Sequence, residues 1–276
     1  MNEIKTDYDS FLAEIYDYSP YFGKERREKD YATQFYLDNL PDKNKGKILE
    51  LVTCTGLLTI PMARAGYKID SIDVSPAVHE IVRRKMANEP KKVINNITLK
   101  CCNAFDYQTE YIYSAIVIPD SFLHAVADKQ LQEELLKKCY KLLDDKGTLI
   151  IDIFVPWEDI ISKGDVKQCT RFRTEQGELY IVYTHHLINS NNQTHRFDFV
   201  HEAYKSKKKF YHTIVYRYMY LSELIDLLQK TGFNIIKVDE HMNYGTNVAV
   251  VAEKKLKMDR TADCRLNGHL DYIFIL

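Results

Sequence analysis

The stretch from Lys47 to Asp73 reads KILELVTCTGLLTIPMARAGYKIDSID and contains the pattern that decides the fold. Its first part, Lys47–Leu51, is a short apolar run after a loop-like segment, which predicts a buried strand. Val52–Gly56 then predicts a compact turn. From Leu57 onward the apolar residues are spaced for a helix that packs on a sheet, and Gly66 stands where a helix commonly ends.

A second predicted strand, Tyr67–Ile72, follows this helix and ends on an acid, Asp73. A strand, a Gly-containing turn, a helix N-terminus and an acid about twenty residues further on form the general nucleotide-binding arrangement. In that arrangement backbone N–H groups face the ligand and the carboxylate accepts hydrogen bonds from ribose hydroxyls. The stretch therefore predicts a nucleotide-containing ligand at this sheet edge.

The segment Leu49–Gly56 resembles the first motif of the class I S-adenosylmethionine (SAM) dependent methyltransferases, hydrophobic-Glu-x-Gly-x-Gly-x-Gly. Glu50 and Gly56 match that motif, whereas Val52 and Cys54 stand where the family usually carries glycines. Glycine there lets the backbone approach the cofactor and adopt unusual dihedral angles. Two alternatives remain open: a doubly wound domain that binds nothing at this edge, and a degenerate homologue that acts as a scaffold or regulatory subunit.

The order of elements from Lys47 to Lys254 matches the same family and predicts an α/β fold with a doubly wound, seven-stranded, Rossmann-like sheet. Further strands of this sheet are predicted at Ile97–Cys101, Ser114–Ile118, Thr148–Phe154, Phe233–Val238 and Asn247–Glu253. Alternating residues predict antiparallel strands at Leu179–Thr184, Thr194–Tyr204 and Phe210–Tyr220. Helices are predicted at about Tyr8–Tyr18, about Lys24–Leu40 and Leu221–Thr231, with Ser75 and Ser222 as N-caps and Gly232 as a terminator.

These elements divide the chain into a helical N-terminal cap, a SAM-binding domain and an antiparallel β insert that forms a lid over the substrate. The predicted boundaries are 1–40 for the cap, 41–156 and 220–256 for the SAM-binding domain, and 157–219 for the insert. Residues 257–276 form a tail to which the pattern assigns no role.

The resemblance implies that SAM is held by residues at the carboxyl ends of the first four strands, together with a tyrosine of the cap near the methionine part. Asn103 stands where the family carries an acid near the adenine amino group, and its amide oxygen can accept the same hydrogen bond. The full set of predicted cofactor residues is Tyr16, Tyr21, Glu50, Leu51, Thr55, Gly56, Asp73, Val74, Asn103, Ala104 and Ile118.

The fourth strand opens into Pro119-Asp-Ser-Phe-Leu-His124, which looks like the Asn-Ser-Phe-x-His of small-molecule, glycine N-methyltransferase-like members. Ser121, Phe122 and His124 match, and Asp120 replaces the usual asparagine. The predicted catalytic residues are Asp120, which can attract a cationic amine, and His124, which can accept its proton. The alternatives are that Asp120 caps the next helix and that His124 only caps or braces it.

The resemblance further implies methyl transfer from SAM to a small molecule, with N-methylation of an amine favoured and O-methylation next. The predicted substrate-binding residues are Asp120, Phe154, Arg217 and Tyr218. Of these, Arg217 and Tyr218 are expected to bind a carboxylate or hydroxyl of the substrate. The reaction is a direct displacement at an activated methyl carbon, so the protein mainly aligns the reactants and excludes water. The basic run 205–209 is the one feature that favours an RNA or protein substrate instead.

Composition limits the remaining choices. The chain has 276 residues, 45% hydrophobic residues and a formal net charge of −1, which predicts one domain of ordinary core size with an accessory piece and no nucleic-acid partner. Its six cysteines have no paired CxxC spacing, so no metal site is expected. No apolar run reaches membrane-spanning length and the N-terminus lacks a secretory pattern, which favours a cytoplasmic protein, with a homodimer as one option.

Overall fold

A computed structural model describes residues 8–19, 31–154, 158–242 and 247–255 of the chain. Its strands form two sheets. Sheet A has seven strands in the order β10-β11-β5-β4-β1-β2-β3, and sheet B has four in the order β6-β7-β8-β9. In sheet A, β11 runs antiparallel to both of its neighbours, while β1 to β5 pair in parallel. The predicted doubly wound, Rossmann-like sheet with an added antiparallel β unit is thus confirmed.

The strands of sheet A are β1 (Ile48–Leu51), β2 (Ile69–Asp73), β3 (Ile97–Cys101), β4 (Tyr113–Ile118), β5 (Leu143–Phe154), β10 (Phe233–Asp239) and β11 (Asn247–Lys254). Those of sheet B are β6 (Asp165–Arg173), β7 (Leu179–Asn189), β8 (Thr194–Ala203) and β9 (Lys209–Arg217). The sequence predicted all of them except β6. The burial of β6 alternates, but its inward positions include the polar residues Gln168 and Thr170, so the sequence lacks the apolar–polar alternation of a half-buried strand.

The helices, numbered among the described residues, are α1 (Tyr8–Ile15), α2 (Tyr31–Asn39), α3 (Thr59–Arg64), α4 (Pro76–Met86), α5 (Lys91–Ile94), α6 (Phe122–Ala125), α7 (Lys129–Leu142), α8 (Glu158–Lys163) and α9 (Leu221–Lys230). A 3₁₀ turn, Tyr16–Tyr18, continues α1.

Helix ends agree with the sequence at two points and differ at a third. Ser75 caps α4 by accepting from the backbone N–H of Val78, and Gly232 ends α9 with φ +105°. The prediction that Ser222 caps α9 is wrong, because the N-cap residue is Tyr220, which makes no side-chain capping bond.

Successive residues of the buried parallel strands face opposite sides of sheet A and so build two cores. Leu49 and Ile116 face a core shared with α7 and α9, whereas Ile48 and Val117 face one shared with α2 and α3. Burial of both faces explains why these strands read as continuous apolar runs. The carboxyl ends of β1, β2 and β4 are thereby fixed side by side.

Helix α1 packs on the inner face of sheet B. Ile15 shares a small core with Phe172, Val182 and Phe199, and the ring of Phe11 stacks on Phe210 at 3.7 Å between centroids. The predicted cap and lid residues therefore enclose a space at the carboxyl edge of sheet A. None of the described helices is long and apolar enough to cross a membrane.

Candidate active site

The turn after β1 keeps a glycine-like backbone at positions where the chain has no glycine. Val52 has φ 77°, Cys54 has φ 46° and Gly56 has φ 79°. Left-handed backbone costs a residue with a side chain roughly 1–2 kcal/mol, and such strain concentrates at functional sites. The departures from the family motif have thus changed side chains without changing the left-handed backbone.

The acid at the end of β2 holds this turn. Asp73 Oδ2 accepts a hydrogen bond from the backbone N–H of Cys54 at 3.2 Å, and Oδ1 accepts from the N–H of Ser75 at 3.0 Å. Each carboxylate oxygen can accept more than one hydrogen bond. Val74, the next residue, leaves 63% of its surface exposed at the same edge.

Glu50 lies beneath the turn with no exposed surface. Its Oε2 accepts hydrogen bonds from the hydroxyls of Thr59 and Ser71, both at 2.6 Å. Burial raises the pKa of Glu50 to about 8, a stronger effect than the lowering by these two hydroxyls. Glu50 is therefore mainly neutral at pH 7 and ties β1, β2 and α3 together, instead of presenting a charge to a ligand.

The other predicted cofactor residues occupy three kinds of position. Leu51, Ala104 and Ile118 are buried in the core, so any contact of theirs with a ligand at the sheet edge would be through the backbone. Asn103 is exposed, and its Oδ1 accepts from the N–H of Phe105 at 2.9 Å. Tyr21 lies outside the described residues.

Thr55 is fully buried by the N-terminal cap. Its hydroxyl donates to Asp17, whose carboxylate also pairs with Lys85 at 2.5 Å. Lys85 Nζ in turn donates to the carbonyl oxygen of Thr55 at 2.7 Å. These contacts hold the 3₁₀ turn Tyr16–Tyr18 against the turn 52–56.

Two adjacent left-handed residues follow β4, Asp120 with φ 58° and Ser121 with φ 56°. The buried carboxylate of Asp152 accepts hydrogen bonds from both of their backbone N–H groups, at 2.9 and 3.2 Å. It also accepts from the hydroxyl of Tyr36 at 2.5 Å and from the side-chain amide of Asn247 at 2.9 Å. Sequence reasoning missed Asp152, although an acid inside the apolar strand TLIIDIF was a usable signal.

This turn places the carboxylate of Asp120 opposite the cap. Asp120 Oδ2 accepts from the hydroxyl of Tyr16 at 3.2 Å and from Cys54 Sγ at 3.0 Å. The N-cap of α6 is Ser121, which makes no side-chain capping bond. The structure thus joins the predicted residues Tyr16 and Asp120 to the turn after β1.

A cavity of about 210 Å³ opens beside Asp120. Its walls come from the cap, from the turns after β1 and β4 with α6, and from the inner face of β8 and β9. The lining residues are Leu12, Ile15, Tyr16, Ser19, Val52, Cys54, Asp120, Phe122, Ala125, Phe199, His201, His212, Ile214 and Tyr216. Among the lining residues that the structure describes, Asp120 is the only acid and there is no lysine or arginine.

The predicted role of His124 as a proton acceptor is wrong for this geometry. Its ring has no exposed surface, and its Nε2 accepts the backbone N–H of Met219 at 3.2 Å. Burial lowers the pKa of His124 to about 3, and the nearby Arg217 acts in the same direction. Phe154 packs edge-on against the ring at 4.4 Å. His124 therefore braces α6 against the segment after β9, the alternative considered from the sequence.

Arg217 and Tyr218 are also not placed to bind substrate. The Arg217 guanidinium is buried and donates to Gln132 at 2.8 Å, to Gln193 at 2.9 Å and to Glu223 at 2.7 Å. Tyr218 is buried, and neither residue lines the cavity, nor does Phe154. Arg217 instead joins sheet B to α7 and α9.

The lid residues of the cavity wall were missed because their position depends on strand register. Phe199 pairs with His212, and His201 pairs with Phe210, across β8 and β9. All four side chains face the same side of the sheet because residues two apart share a face. The alternation in the sequence showed that one face was buried, but not what it faced.

The site residues fit the SAM that the resemblance implies. The left-handed turn of 52–56 allows the close backbone approach that glycines usually provide, and the carboxylate of Asp73 lies beside it, where the resemblance expects an acid. A side chain at Gly56 would be strained, because the residue has φ 79° and a Cβ there would lie 3.3 Å from both Cγ atoms of Val82, a tight contact.

Comparison with known proteins agrees with this geometry. Residues 48–147 match the methyltransferase domain family. The protein YqeM of Bacillus subtilis (strain 168), which is named as a methyltransferase, is 25% identical over 144 residues, 52% of this chain and 53% of YqeM. The chain thus spans about half the length of this curated relative.

Several solved structures share the fold at low identity. The CcbJ methyltransferase of Streptomyces caelestis superposes with a TM-score of 0.73 at 17% identity, covering 91% of this chain and 99% of CcbJ. The SAM-bound amino pentose methyltransferase CalS10 of Micromonospora echinaspora gives 0.65 at 12% identity, with 84% and 93% covered. The glycopeptide N-methyltransferase MtfA with sinefungin gives 0.55 at 18% identity, with 83% and 92% covered. The chain therefore has the class I fold of SAM-dependent methyltransferases, and its residues 48–147 are similar to the methyltransferase domain family.

Proposed function

We propose that the whole protein is a SAM-dependent methyltransferase that N-methylates a small amine. The observation that carries this proposal is the carboxylate of Asp120 in a cavity whose other lining residues are mostly apolar or aromatic. A carboxylate in such surroundings attracts an ammonium group and holds it by a charge-assisted hydrogen bond. The apolar walls strengthen that interaction because they lower the local dielectric constant.

The residues of the chain supply positioning and a place for one proton. An ammonium group must lose a proton before its nitrogen lone pair can attack, and Asp120, directly or through water, is the acceptor within the cavity. Tyr16 donates to Asp120 at 3.2 Å and so fixes the carboxylate. Phe122, Phe199 and Tyr216 exclude water, and aromatic faces also attract a cation.

SAM supplies an activated methyl group when it is bound. The residues that would hold it are those of the turn 52–56 together with Asp73, Val74 and Asn103. The amine would lie on the side of the Asp120 carboxylate away from the sheet, between the cap and the lid. Alignment and exclusion of water are then the main contributions of the protein to rate.

The contacts of the basic run 205–209, the one feature that favours an RNA or protein substrate, do not support that alternative. In the basic run 205–209, Lys207 and Lys209 both pair with Glu202, at 3.7 and 3.4 Å. Lys207 also lies over the ring of Tyr204, and Lys208 over the ring of Phe210. These contacts favour a solvated loop with local partners over a binding patch.

The test compares methyl transfer by the wild type and Asp120→Asn across a panel of small amines and matched phenols, with identification of the methylated atom. We expect Asp120→Asn to lower kcat/KM for amines by about 10- to 100-fold, because a hydrogen bond to a charged group contributes about 1.5–3 kcal/mol. Asp226→Asn, an exposed acid on α9, is the matched control. Activity on phenols only, or on amines without dependence on Asp120, would overturn the proposal.

Calorimetric titration of the wild type with SAM tests the scaffold alternative. If the protein is a methyltransferase, we expect SAM to bind. Absence of SAM binding would favour a degenerate homologue that acts as a scaffold or regulatory subunit.

A further inference from the structure

His201 lies on the inner face of β8 and lines the cavity, yet the Nδ1 of its ring has no hydrogen-bond partner within the described part of the chain. The side chain is only 4% exposed, and its Nδ1 is fully buried. Buried polar atoms are nearly always hydrogen-bonded, since leaving one unpaired loses the bond it made to water. An imidazole nitrogen left unpaired on a cavity wall therefore indicates a ligand that pairs with it.

Aromatic neighbours hold this ring in place. Phe11 of the cap packs edge-on at 5.5 Å between centroids, and Phe172 of β6 does so at 6.2 Å. The ring of His212, which also lines the cavity, lies nearly parallel at 5.0 Å. Since these contacts come from three elements, His201 cannot turn its nitrogens toward bulk water without disturbing the cap.

The protonation state limits what His201 can recognise. Burial lowers the pKa of His201 to about 4 and that of His212 to about 3, so both rings are neutral at pH 7. A neutral imidazole offers one N–H donor and one lone pair. It therefore suits a neutral group such as a hydroxyl, which also donates and accepts, and it does not suit an anion.

We propose that His201 determines substrate specificity by hydrogen bonding to a hydroxyl group of the amine substrate. The inference rests on the proposed function and deepens it, because Asp120 takes the amine and His201 takes the second polar group. The substrate class is a compact amine with an apolar or aromatic body and a single hydroxyl.

The size and lining of the cavity argue against a sugar. Its volume of about 210 Å³ lies below the usual range of roughly 300–1,000 Å³ for small-molecule sites. Leu12, Ile15, Phe122 and Ile214 contribute only apolar side chains to the wall. Several hydroxyls of a sugar would meet these side chains and lose their hydrogen bonds to water.

The experiment uses matched pairs of amines that differ by one hydroxyl, such as phenethylamine with tyramine and cyclohexylamine with 4-aminocyclohexanol. N-methyl products are measured for the wild type, His201→Phe, His201→Gln and the control His195→Phe. His195 is buried on the same face of β8 but does not line the cavity. Calorimetric titration with SAM accompanies each variant.

We expect the wild type to prefer the hydroxylated amine by about 10-fold or more in kcat/KM, mainly through KM. His201→Phe should reduce that preference to within about 2-fold while SAM binding stays unchanged. His201→Gln, which keeps a donor and an acceptor, should restore part of it, and His195→Phe should retain it.

A preference that survives in His201→Phe, or a wild type that prefers the amine without a hydroxyl, would overturn the inference while leaving the proposed function intact. Transfer to no amine of the panel would overturn the proposed function and this inference with it.

Discussion

The buried carboxylate of Asp152 at the carboxyl edge of sheet A and the buried ring of His201 on the inner face of sheet B differ in their hydrogen bonding. At the edge of sheet A the Asp152 carboxylate accepts hydrogen bonds from the backbone of Asp120 and Ser121, from Tyr36 and from Asn247. On the face of sheet B the Nδ1 of the buried His201 ring has no such partner among the described residues. Both regions border the same cavity.

We infer from this difference that the two regions have different roles in the site. Strained left-handed residues persist only where the surrounding structure holds them in place. The hydrogen bonds of Asp152 therefore fix the backbone of Asp120, and its position does not depend on a bound ligand. The unpaired imidazole nitrogen of His201 can instead form a hydrogen bond with a ligand. The first region determines where a reacting group lies, and the second determines which molecule fits there.

The largest effect is expected from removing the Asp152 carboxylate, which accepts the hydrogen bonds at the edge of sheet A. Asp152→Ala removes the acceptor of the backbone N–H groups of Asp120 and Ser121 and the shorter of the two hydrogen bonds of the Tyr36 hydroxyl, so we expect a loss of about 3 kcal/mol or more in the free energy of unfolding. Urea denaturation followed by circular dichroism measures it.

Asp152→Asn is the matched control for that variant. It keeps one acceptor oxygen and should cost about half as much. A loss below about 1 kcal/mol in Asp152→Ala would show that the turn at Asp120 does not depend on this carboxylate.

Glu50 gives a pH-dependent test of the same region. Its pKa rises on folding from the ordinary 4.5 to about 8, mainly through burial. Between these pH values the folded state holds a proton that the unfolded state has released, so this contribution to stability is complete below pH 4.5 and is lost as pH rises to 8. Glu50→Gln removes the titration but keeps the shape.

The measurement is the unfolding free energy of the wild type and Glu50→Gln at pH 5, 6, 7 and 8. The wild type should lose about 3 kcal/mol relative to the variant over this range. Buried histidines such as His124 change stability in the opposite direction below pH 6.5, but they cancel in the difference. Parallel curves would contradict the assignment of a neutral Glu50.

Asp73 tests whether the edge of sheet A holds the cofactor. We expect Asp73→Ala to weaken SAM binding by one to two orders of magnitude, since a charge-assisted hydrogen bond contributes about 1.5–3 kcal/mol. Isothermal titration calorimetry measures the change, with Asp226→Ala as the control. Unchanged affinity would remove Asp73 from the cofactor site.

The smallest effect is expected at Cys54. If its side chain crowds the left-handed turn, Cys54→Gly should tighten SAM binding by a few-fold and change stability by less than about 1 kcal/mol, because relief of strain offsets the entropy of glycine. Cys54→Ala removes the thiol but keeps the strain, so it separates the two causes. Weaker SAM binding by Cys54→Gly would show instead that the site has adapted to cysteine.

Local pattern was enough for most of the fold. The apolar runs at β1, β2 and β4 predicted buried parallel strands, and the Ser75-Pro76 pair predicted the start of α4. The site was predicted less completely. The structure brings the predicted residues Asp120 and Tyr16 together, which the sequence did not indicate, and His124 and Arg217 were assigned to chemistry but are buried supports.

The sequence by itself determined the class of fold, because the strands and the turn after β1 are encoded in residues near each other in the chain. Only the tertiary structure decided which polar side chains face the cavity, since that depends on contacts between residues far apart in sequence. Tyr16 reaches Asp120 across 104 positions, and Arg217 reaches Gln132 across 85. A histidine or arginine looks equally suited to catalysis or to support in the sequence, and burial with its partners distinguishes the two.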